Sequence, residues 1–297
     1  MSKERRAFRV KTYSDWQPFL VAAGELLLER EAESNLIWEV GRVSAQNKRI
    51  SRPWSGWLVR QGNNSMLAAL SSVTGYVILS GGDSFACQAL VDHLVARGIP
   101  VKGVSGPEPV SGAFAQAWEN STHENVTLGA SLSFYLADTE METESGVEGI
   151  FRRARPEEGE LLRGWAIDFG AESARPMDPR ALTRLSERML GRKDLFVWVD
   201  ANELVSMGGF GRETPHGLVI NMVYTPKNRR GRGFGGALAS GLLEEARGRS
   251  KEYCCLYSEF SSSVRQNLYD RIGFRLAGEF AERAFNDQSD SVPSDLQ

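Results

Sequence analysis

Apolar positions along the chain alternate between a strand-like and a helix-like periodicity. In the C-terminal half, "GLVINMVYT" is rich in β-branched residues, which favours a strand. Leu182, Leu185 and Met189 recur at helical spacing, and Asp178 before Pro179 is typical of the N-cap and first turn of that helix. From "GIFRRAR" to "FRLAGEF", the pattern predicts the order β-α-α-β-β-β-α-β-α-β.

The N-terminal half fits the same plan. "DWQPFLVAAGELLLEREAESNLIWEV" predicts helix, "GWLVRQGNNSMLAALSS" predicts a hairpin turning at Gly62 and Asn63, and strand, helix, strand, helix and strand follow. The basic "MSKERRAFRVK" before them is predicted to be a solvated end. The shared order indicates an internal duplication. The alternative is that α/β proteins often repeat such units without common ancestry.

These patterns predict an α/β fold (α+β, with mixed sheets) in which two domains each have a central mixed β-sheet flanked by helices. We expect one domain at residues 1–138 and the other at residues 149–286. The acidic segment 139–148, poor in large apolar groups, is a predicted linker. The polar tail 287–297 is predicted to be disordered.

Composition narrows the class of protein. With 297 residues, 41% apolar and 25% charged, the chain is long enough for two cores, and a net charge of −3 attracts neither nucleic acid nor anionic membrane. It shows no signal peptide, no apolar span and no disulfide framework among three cysteines. Three histidines without metal-ligand spacing predict no metal site. We expect a cytoplasmic protein, a monomer or homodimer.

The segment "NRRGRGFGGAL", Asn228 to Leu238, contains two phosphate-binding strings, G-x-G-x-x-G and R-x-x-G-x-G. Both need glycine, because a backbone without Cβ turns sharply and brings N–H groups close to an anion. A dinucleotide turn follows a strand directly and pairs with an acid at the tip of the next strand, where Glu259 lies. Here six residues, Pro226 to Gly231, precede the Arg232-Gly233 pair, which weighs against that interpretation.

An acyl-coenzyme A interpretation uses the whole loop. It places backbone N–H groups at a helix N-terminus, adds arginines that pair with phosphates, and leaves Phe234 and Leu238 to pack the helix on the sheet. The predicted pyrophosphate-binding residues are Arg230, Gly231, Arg232, Gly233, Phe234, Gly235 and Gly236.

"VYTPKNRRGRGFGGAL", "CCLYSEF" and "NLYDRIGF" together resemble the GNAT superfamily of acetyl-coenzyme A-dependent N-acetyltransferases, over roughly Gly149 to Phe285. The whole chain resembles tandem GNAT proteins with a degenerate N-terminal half. The resemblance implies that the strand from Gly217 to Thr225 splays from "EYCCLYSEF". Backbone groups of that strand would then bind pantetheine and the thioester oxygen. They belong to Met222, Val223, Tyr224 and Thr225.

The N-terminal copy departs from the family where this chemistry is concentrated. Its loop "LSGGDSFACQAL" has Gly81 and Gly82 but no arginine, and Asp83 carries a negative charge where phosphate would lie. Its late helix offers Phe114 and Trp118 in place of a tyrosine. We therefore expect one acetyl-coenzyme A site, in the C-terminal half.

The resemblance gives Tyr269 the role of general acid toward the departing sulfur, the alternative being a helix residue that packs on Phe274. Ser262 stands where the family often has an asparagine that contacts coenzyme A. Glu203, Glu259 and His216 are candidates for the general base.

The leading hypothesis is an acyltransferase that moves acetyl from acetyl-coenzyme A to a primary amine by direct attack in a ternary complex. The acceptor is a small molecule or a protein amine. The alternatives are a catalytically silent acyl-coenzyme A sensor and a nicotinamide dinucleotide enzyme.

Overall fold

The computed structural model describes residues 7–46, 54–140, 146–173, 177–259 and 269–285. Mixed sheets flanked by helices run through these ranges, and the predicted fold class is confirmed. The chain divides into two compact units. One contains the described residues up to Ser131 and from Gly278 onward, and the other runs from Leu132 to Ala277.

The first unit has the strand order β1-β2-β3-β4-β5-β12, with the first residues of β6 beside β12. Strands β4 and β5 are parallel, and the other neighbours from β1 to β12 pair antiparallel. The strands are β1 (Phe8–Tyr13), β2 (Gly56–Gln61), β3 (Asn64–Ser71), β4 (Tyr76–Leu79), β5 (Gly103–Pro107), β6 (Val126–Asp138) and β12 (Arg275–Phe285). The helices are α1 (Trp16–Glu29), α2 (Asn35–Gln46), α3 (Ala86–Ala96) and α4 (Val110–Thr122).

The N-terminal segment differs from the prediction. The sequence predicts a solvated end there, but β1 pairs with β2 from Phe8↔Gln61 to Tyr13↔Gly56. Phe8 and Val10 pack against the core of the unit, which is why the strand forms despite its basic neighbours. The predicted hairpin turn at Gly62 and Asn63 is confirmed, since β2 ends at Gln61 and β3 begins at Asn64.

The second unit has the strand order β6-β11-β10-β9-β8-β7. Its own strands are β7 (Ile150–Arg153), β8 (Leu195–Asp200), β9 (Glu203–Glu213), β10 (Gly217–Tyr224) and β11 (Tyr253–Glu259). Among the residues that the structure describes in full, its helices are α5 (Gly159–Ala171), α6 (Pro179–Gly191) and α7 (Phe234–Gly248). The Asp178 cap is confirmed, because its carboxylate accepts a hydrogen bond from Arg180 N–H at 2.9 Å. Up to β11, the order of elements repeats that of the first unit.

The last strand of each half pairs with the other half's fifth strand. Residues 132–138 of β6 pair antiparallel with β11, from Leu132↔Glu259 to Asp138↔Tyr253. Near the end of the chain, residues 280–284 of β12 pair antiparallel with β5. The predicted domain boundaries at residues 138, 149 and 286 follow the order of elements along the chain. Because the final strands are exchanged, the compact units are divided after residues 131 and 277 instead.

Each face of the second unit's sheet carries its own core. Phe234, Leu238 and Leu242 of α7 pack on one face. Leu162 of α5 and Leu185 of α6 pack on the other. Within the described residues, no helix has the length and apolar character that a membrane crossing requires.

Close backbone packing at Gly209 gives a stability test. A Cβ there would lie 2.0 Å from the backbone oxygen of Asp194, so Gly209→Ala forces β8 and β9 apart. We expect a loss of about 1–3 kcal/mol in the free energy of unfolding, measured by urea denaturation. Gly164→Ala in α5 is the control, because no atom lies within 4 Å of its Cβ position and alanine favours helix by about 1 kcal/mol. Equal stability of the two variants would contradict the packing argument.

Candidate functional site

Two parallel strands separate near the middle of the second unit. Strand β10 pairs with β11 from Gly217↔Tyr253 to Val219↔Cys255. Beyond Val219, β10 continues to Tyr224 without further pairing to β11 among the described residues. The splay that the resemblance implies is therefore present, and it leaves one side of β10 open to a ligand.

A β-bulge lies at this opening. The register of β10 with β9 shifts between Asn221↔Gly209 and Tyr224↔Met207. Within this shift, Met222 has a left-handed φ of 53°. Because of the extra residue, the side chains of Ile220 and Met222 lie on opposite faces of the sheet. Ile220 packs in the core beneath α7, whereas Met222 packs in the core beneath α5 and α6. Asn221 Oδ1 accepts a hydrogen bond from Met222 N–H at 2.8 Å and so holds the bulge.

The predicted pantetheine-binding residues Met222, Val223, Tyr224 and Thr225 all lie in or directly after this bulge. The Ser206 hydroxyl donates to the Tyr224 carbonyl at 2.9 Å and lies 3.0 Å from the Thr225 hydroxyl. The open end of the strand is therefore anchored to β9.

The glycine-rich loop joins β10 to α7. Gly231 and Gly233 have φ of 79° and 83°, a region that disfavours residues with a side chain, and Gly233 is the N-cap of α7. No side chain of the described residues caps this helix, which leaves the N–H groups of its first turn without a capping partner, an arrangement that favours an anion. Phe234 and Leu238 are buried as predicted and fix the helix on the sheet.

Basic side chains of the loop are held by carboxylates from other elements. Arg232 donates to Asp200 at 2.9 Å, and its guanidinium lies 4.6 Å from the centroid of the Phe234 ring. Arg229 forms an ion pair with Glu203. Glu203, a candidate base, is thus engaged with the loop at the start of β9.

Glu172 at the end of α5 connects the loop to the bulged strand. Arg230 Nη2 donates to Glu172 Oε2 at 2.6 Å, and Lys227 lies 3.9 Å from the same carboxylate. The Tyr224 hydroxyl donates to Glu172 Oε1 at 3.2 Å. Arg230 also donates through Nε to the Thr225 carbonyl at 2.8 Å. Since 58 residues separate Glu172 from Arg230, no spacing in the sequence indicates this contact.

The charge of Glu172 depends on its partners. Burial favours the neutral acid, but the hydrogen bond from Arg230 and the surrounding positive charge outweigh it and hold the pKa of Glu172 below its ordinary value. Burial, the Glu172 charge and Asp168 raise the pKa of Tyr224. Glu172 is therefore ionised and is the anion that Arg230 and Lys227 of the loop contact in the absence of a ligand.

Tyr269 lies in a helical turn at residues 269–271 and is buried. Its ring centroid is 5.6 Å from that of Tyr135 on β6 and 6.0 Å from that of Phe274, the latter edge-to-face. The contact with Phe274 is therefore present, as expected if Tyr269 is a packing residue. The same contact holds the ring of Tyr269, the candidate general acid, in place.

The remaining candidates lie in different places. Glu259 ends β11 and pairs with Leu132 of β6, at the open end of the splayed strands. His216 precedes β10 at the end opposite to the bulge, where its carbonyl accepts a hydrogen bond from Glu252 N–H. Ser262 lies outside the described residues. The described residues contain no group of three or more potential metal ligands.

The equivalent loop of the first unit is filled by the protein. A Cβ at Gly81 would lie 2.1 Å from the Glu33 carboxylate, and one at Gly82 would lie 2.4 Å from the Met66 carbonyl. Asp83 accepts a hydrogen bond from Phe85 N–H at 2.8 Å directly before α3. An acid thus occupies the helix start where the second unit has glycine and arginine.

The geometry of the second unit fits coenzyme A. An open strand edge with a bulge suits an extended amide chain, and a helix N-terminus with a basic, glycine-rich loop suits its pyrophosphate. The ion pair with Glu172 is not the sole contact that orients Arg230, because its Nε also donates to the Thr225 carbonyl.

The depressed pKa of Glu172 predicts a pH-dependent stability. A carboxyl whose pKa is lower in the folded than in the unfolded protein stabilises the fold above the unfolded value, about 4.3, and loses that effect as the pH falls through the folded value. We expect Glu172→Gln to be less stable than the wild type at pH 7, with the difference shrinking below about pH 4. Urea denaturation at a series of pH values measures it. The exposed Glu244→Gln on α7 is the control, and parallel pH curves for wild type and Glu172→Gln would contradict the assignment.

Known structures share this fold. A GCN5-related N-acetyltransferase from Sphaerobacter thermophilus matches with a TM-score of 0.59 and 16% identity, covering 100% of both chains. A Drosophila protein gives a TM-score of 0.62 and 14% identity, covering 94% of this chain and 99% of its own. A GNAT acetyltransferase from Colwellia psychrerythraea gives a TM-score of 0.57 and 13% identity, covering 93% of this chain and 99% of its own. At these identities the likeness is one of fold.

No curated protein matches the sequence significantly. Residues 161–274, from α5 to the residue after the Tyr269 turn, match the acetyltransferase (GNAT) family. The match includes the bulged strand, the glycine-rich loop and Tyr269. The C-terminal half of the chain therefore contains a region similar to the acetyltransferase (GNAT) family.

Proposed function

We propose that the chain is an N-acetyltransferase that transfers acetyl from acetyl-coenzyme A to a primary amine. The observation that carries this proposal is the bulge at Asn221 and Met222 on a splayed strand that leads directly into a basic helix N-terminus. The cytoplasmic location and the small-molecule or protein acceptor are parts of the same proposal.

The residues of the second unit would have distinct tasks. Backbone groups of residues 222–225 hold the pantetheine arm, and residues 230–236 hold the pyrophosphate. Acetyl-coenzyme A supplies the activated acetyl group. The neutral amine nitrogen forms a bond to the thioester carbon, the C–S bond breaks, and Tyr269 donates its phenolic proton to the departing sulfur. The amine loses a proton to solvent or to a base, for which Glu259 is the candidate at the open end.

One acetyl-coenzyme A is expected per chain. At the loop of the first unit, Glu33 lies against Gly81 and is paired with Arg30, and Asp83 lies at the start of α3, so carboxylates occupy the place that a pyrophosphate would take. A nicotinamide dinucleotide is disfavoured, because the segment between Tyr224 and Phe234 contains a short helical turn at Lys227–Arg229 in place of a direct strand-to-glycine turn.

The phosphate assignment is tested at Gly233. Gly233→Asp places a side chain at a φ of 83° and a negative charge at the helix N-terminus. We expect acetyl-coenzyme A affinity, measured by isothermal titration, to fall at least about tenfold, with NADH as the control ligand for the wild type. Undiminished affinity would show that the loop does not hold the phosphates. Binding of NADH without acetyl-coenzyme A would support the dinucleotide enzyme.

The general acid is tested at Tyr269. Tyr269→Phe keeps the ring and removes the proton, so we expect kcat to fall by about 10²–10⁴ while acetyl-coenzyme A affinity is retained. A panel of amines and a thiol-release assay measure turnover. Wild-type binding without turnover on any amine would instead support an acyl-coenzyme A sensor, and an unchanged kcat in Tyr269→Phe would exclude the acid role.

A further inference from the structure

Tyr135 belongs to the first half by sequence but to the second unit by structure. It lies in residues 132–138 of β6, before the predicted linker, and pairs with Leu256 of β11. Its side chain is only 4% exposed and packs in the core beneath α7, the same core that contains Tyr269.

Tyr135 of β6 and Phe274, which directly precedes β12, both contact the ring of Tyr269. The Tyr135 and Tyr269 centroids are 5.6 Å apart with an interplanar angle of 47°, and the Phe274 ring meets Tyr269 edge-to-face at 6.0 Å. Aromatic pairs at such distances have preferred geometries and so restrict one another's rotamers. Tyr269 belongs to the helical residues 269–271, and the two ring contacts orient its side chain.

Tyr135 is itself fixed by its strand. Ser133, two residues away on the same face of β6, lies near its hydroxyl. Burial and the nearby negative charge of Asp270 raise the pKa of Tyr135, and Ser133 opposes part of this rise, so the phenol stays neutral at physiological pH. Tyr135 thus meets Tyr269 as a neutral ring on a strand that is paired along residues 132–138.

We propose that Tyr135 is a positioning residue for Tyr269, so that the acetyl-transfer site of the second unit requires a strand encoded in the first half of the chain. The proposal rests on the proposed function for its kinetic consequence, while the ring contact itself can be tested without turnover.

Full-length variants separate positioning from general packing. Tyr135→Ala removes the ring, and we expect kcat to fall about tenfold or more while KM for acetyl-coenzyme A stays within about threefold. Tyr135→Phe keeps the ring and should restore kcat to within about twofold of the wild type. Phe134→Ala is the matched control: Phe134 is 1% exposed on the opposite face of the same strand and packs on Tyr257 at 5.2 Å. It should lower the melting temperature comparably and keep kcat.

A double-mutant cycle tests whether Tyr135 acts through Tyr269. Adding Tyr135→Ala to Tyr269→Phe should leave the residual kcat unchanged, because the proton whose position matters is already absent. Fully multiplicative losses, or equal losses of kcat in Tyr135→Ala and Phe134→Ala, would overturn the proposal.

A readout without turnover distinguishes this proposal from the proposed function. With 3-fluorotyrosine at the seven tyrosines, the ¹⁹F resonance of Tyr269 is assigned from Tyr269→Phe. We expect that resonance to shift or broaden in Tyr135→Ala and to stay in place in Phe134→Ala. If the wild type acetylates no amine, the proposed function fails, and this shift alone then supports the positioning contact. An unmoved resonance in Tyr135→Ala overturns it.

Discussion

The early end of the pairing between β10 and β11 is the constraint on which the candidate site depends. Two parallel strands that pair along their full length satisfy each other's backbone groups and leave no place for a ligand. Here the ladder ends at Val219↔Cys255, and the bulge at Asn221 and Met222 turns the strand away. The hydrogen bond from Met222 N–H to Asn221 compensates part of the lost pairing and stabilises a left-handed residue that would otherwise be unfavourable.

The bulge also explains why the glycine-rich loop lies where it does. By reversing the side chains after Ile220, it directs Tyr224 toward α5, where the hydroxyl donates to Glu172. Glu172 in turn holds Arg230 and Lys227 of the loop. The Glu172 carboxylate thus links β10, the C-terminal end of α5 and the glycine-rich loop. It orients the cationic side chains of the loop in the absence of a ligand. A phosphate that binds this loop competes with an internal anion, which favours ligands with more than one negative charge.

The exchange of final strands gives the N-terminal half a structural task even though its own loop is filled. Residues 132–138 cover the edge of β11 and bring Tyr135 to Tyr269. In return, β12 covers the edge of β5. An unpaired strand edge is a liability in any sheet, and here each edge is covered by the other half's final strand. The N-terminal half therefore contributes a strand to the second unit, whether or not its own loop holds a ligand.

By itself, the sequence determined the elements and the chemistry of the loop. Period-two and helical patterns, the Asp178 cap and the Gly62-Asn63 turn are local properties, and the glycines with arginines before a helix indicate an anion site because they act within a few residues. Asn221, a polar residue in an apolar strand, was a signal for the bulge. The β1 strand was missed, because its pairing with β2 depends on contacts across about 50 residues. Tertiary structure alone decided the partner of Arg230, the neighbours of Tyr269 and the exchange of β6 and β12. These depend on which strand edges meet in the folded chain, and no spacing along the sequence encodes that choice.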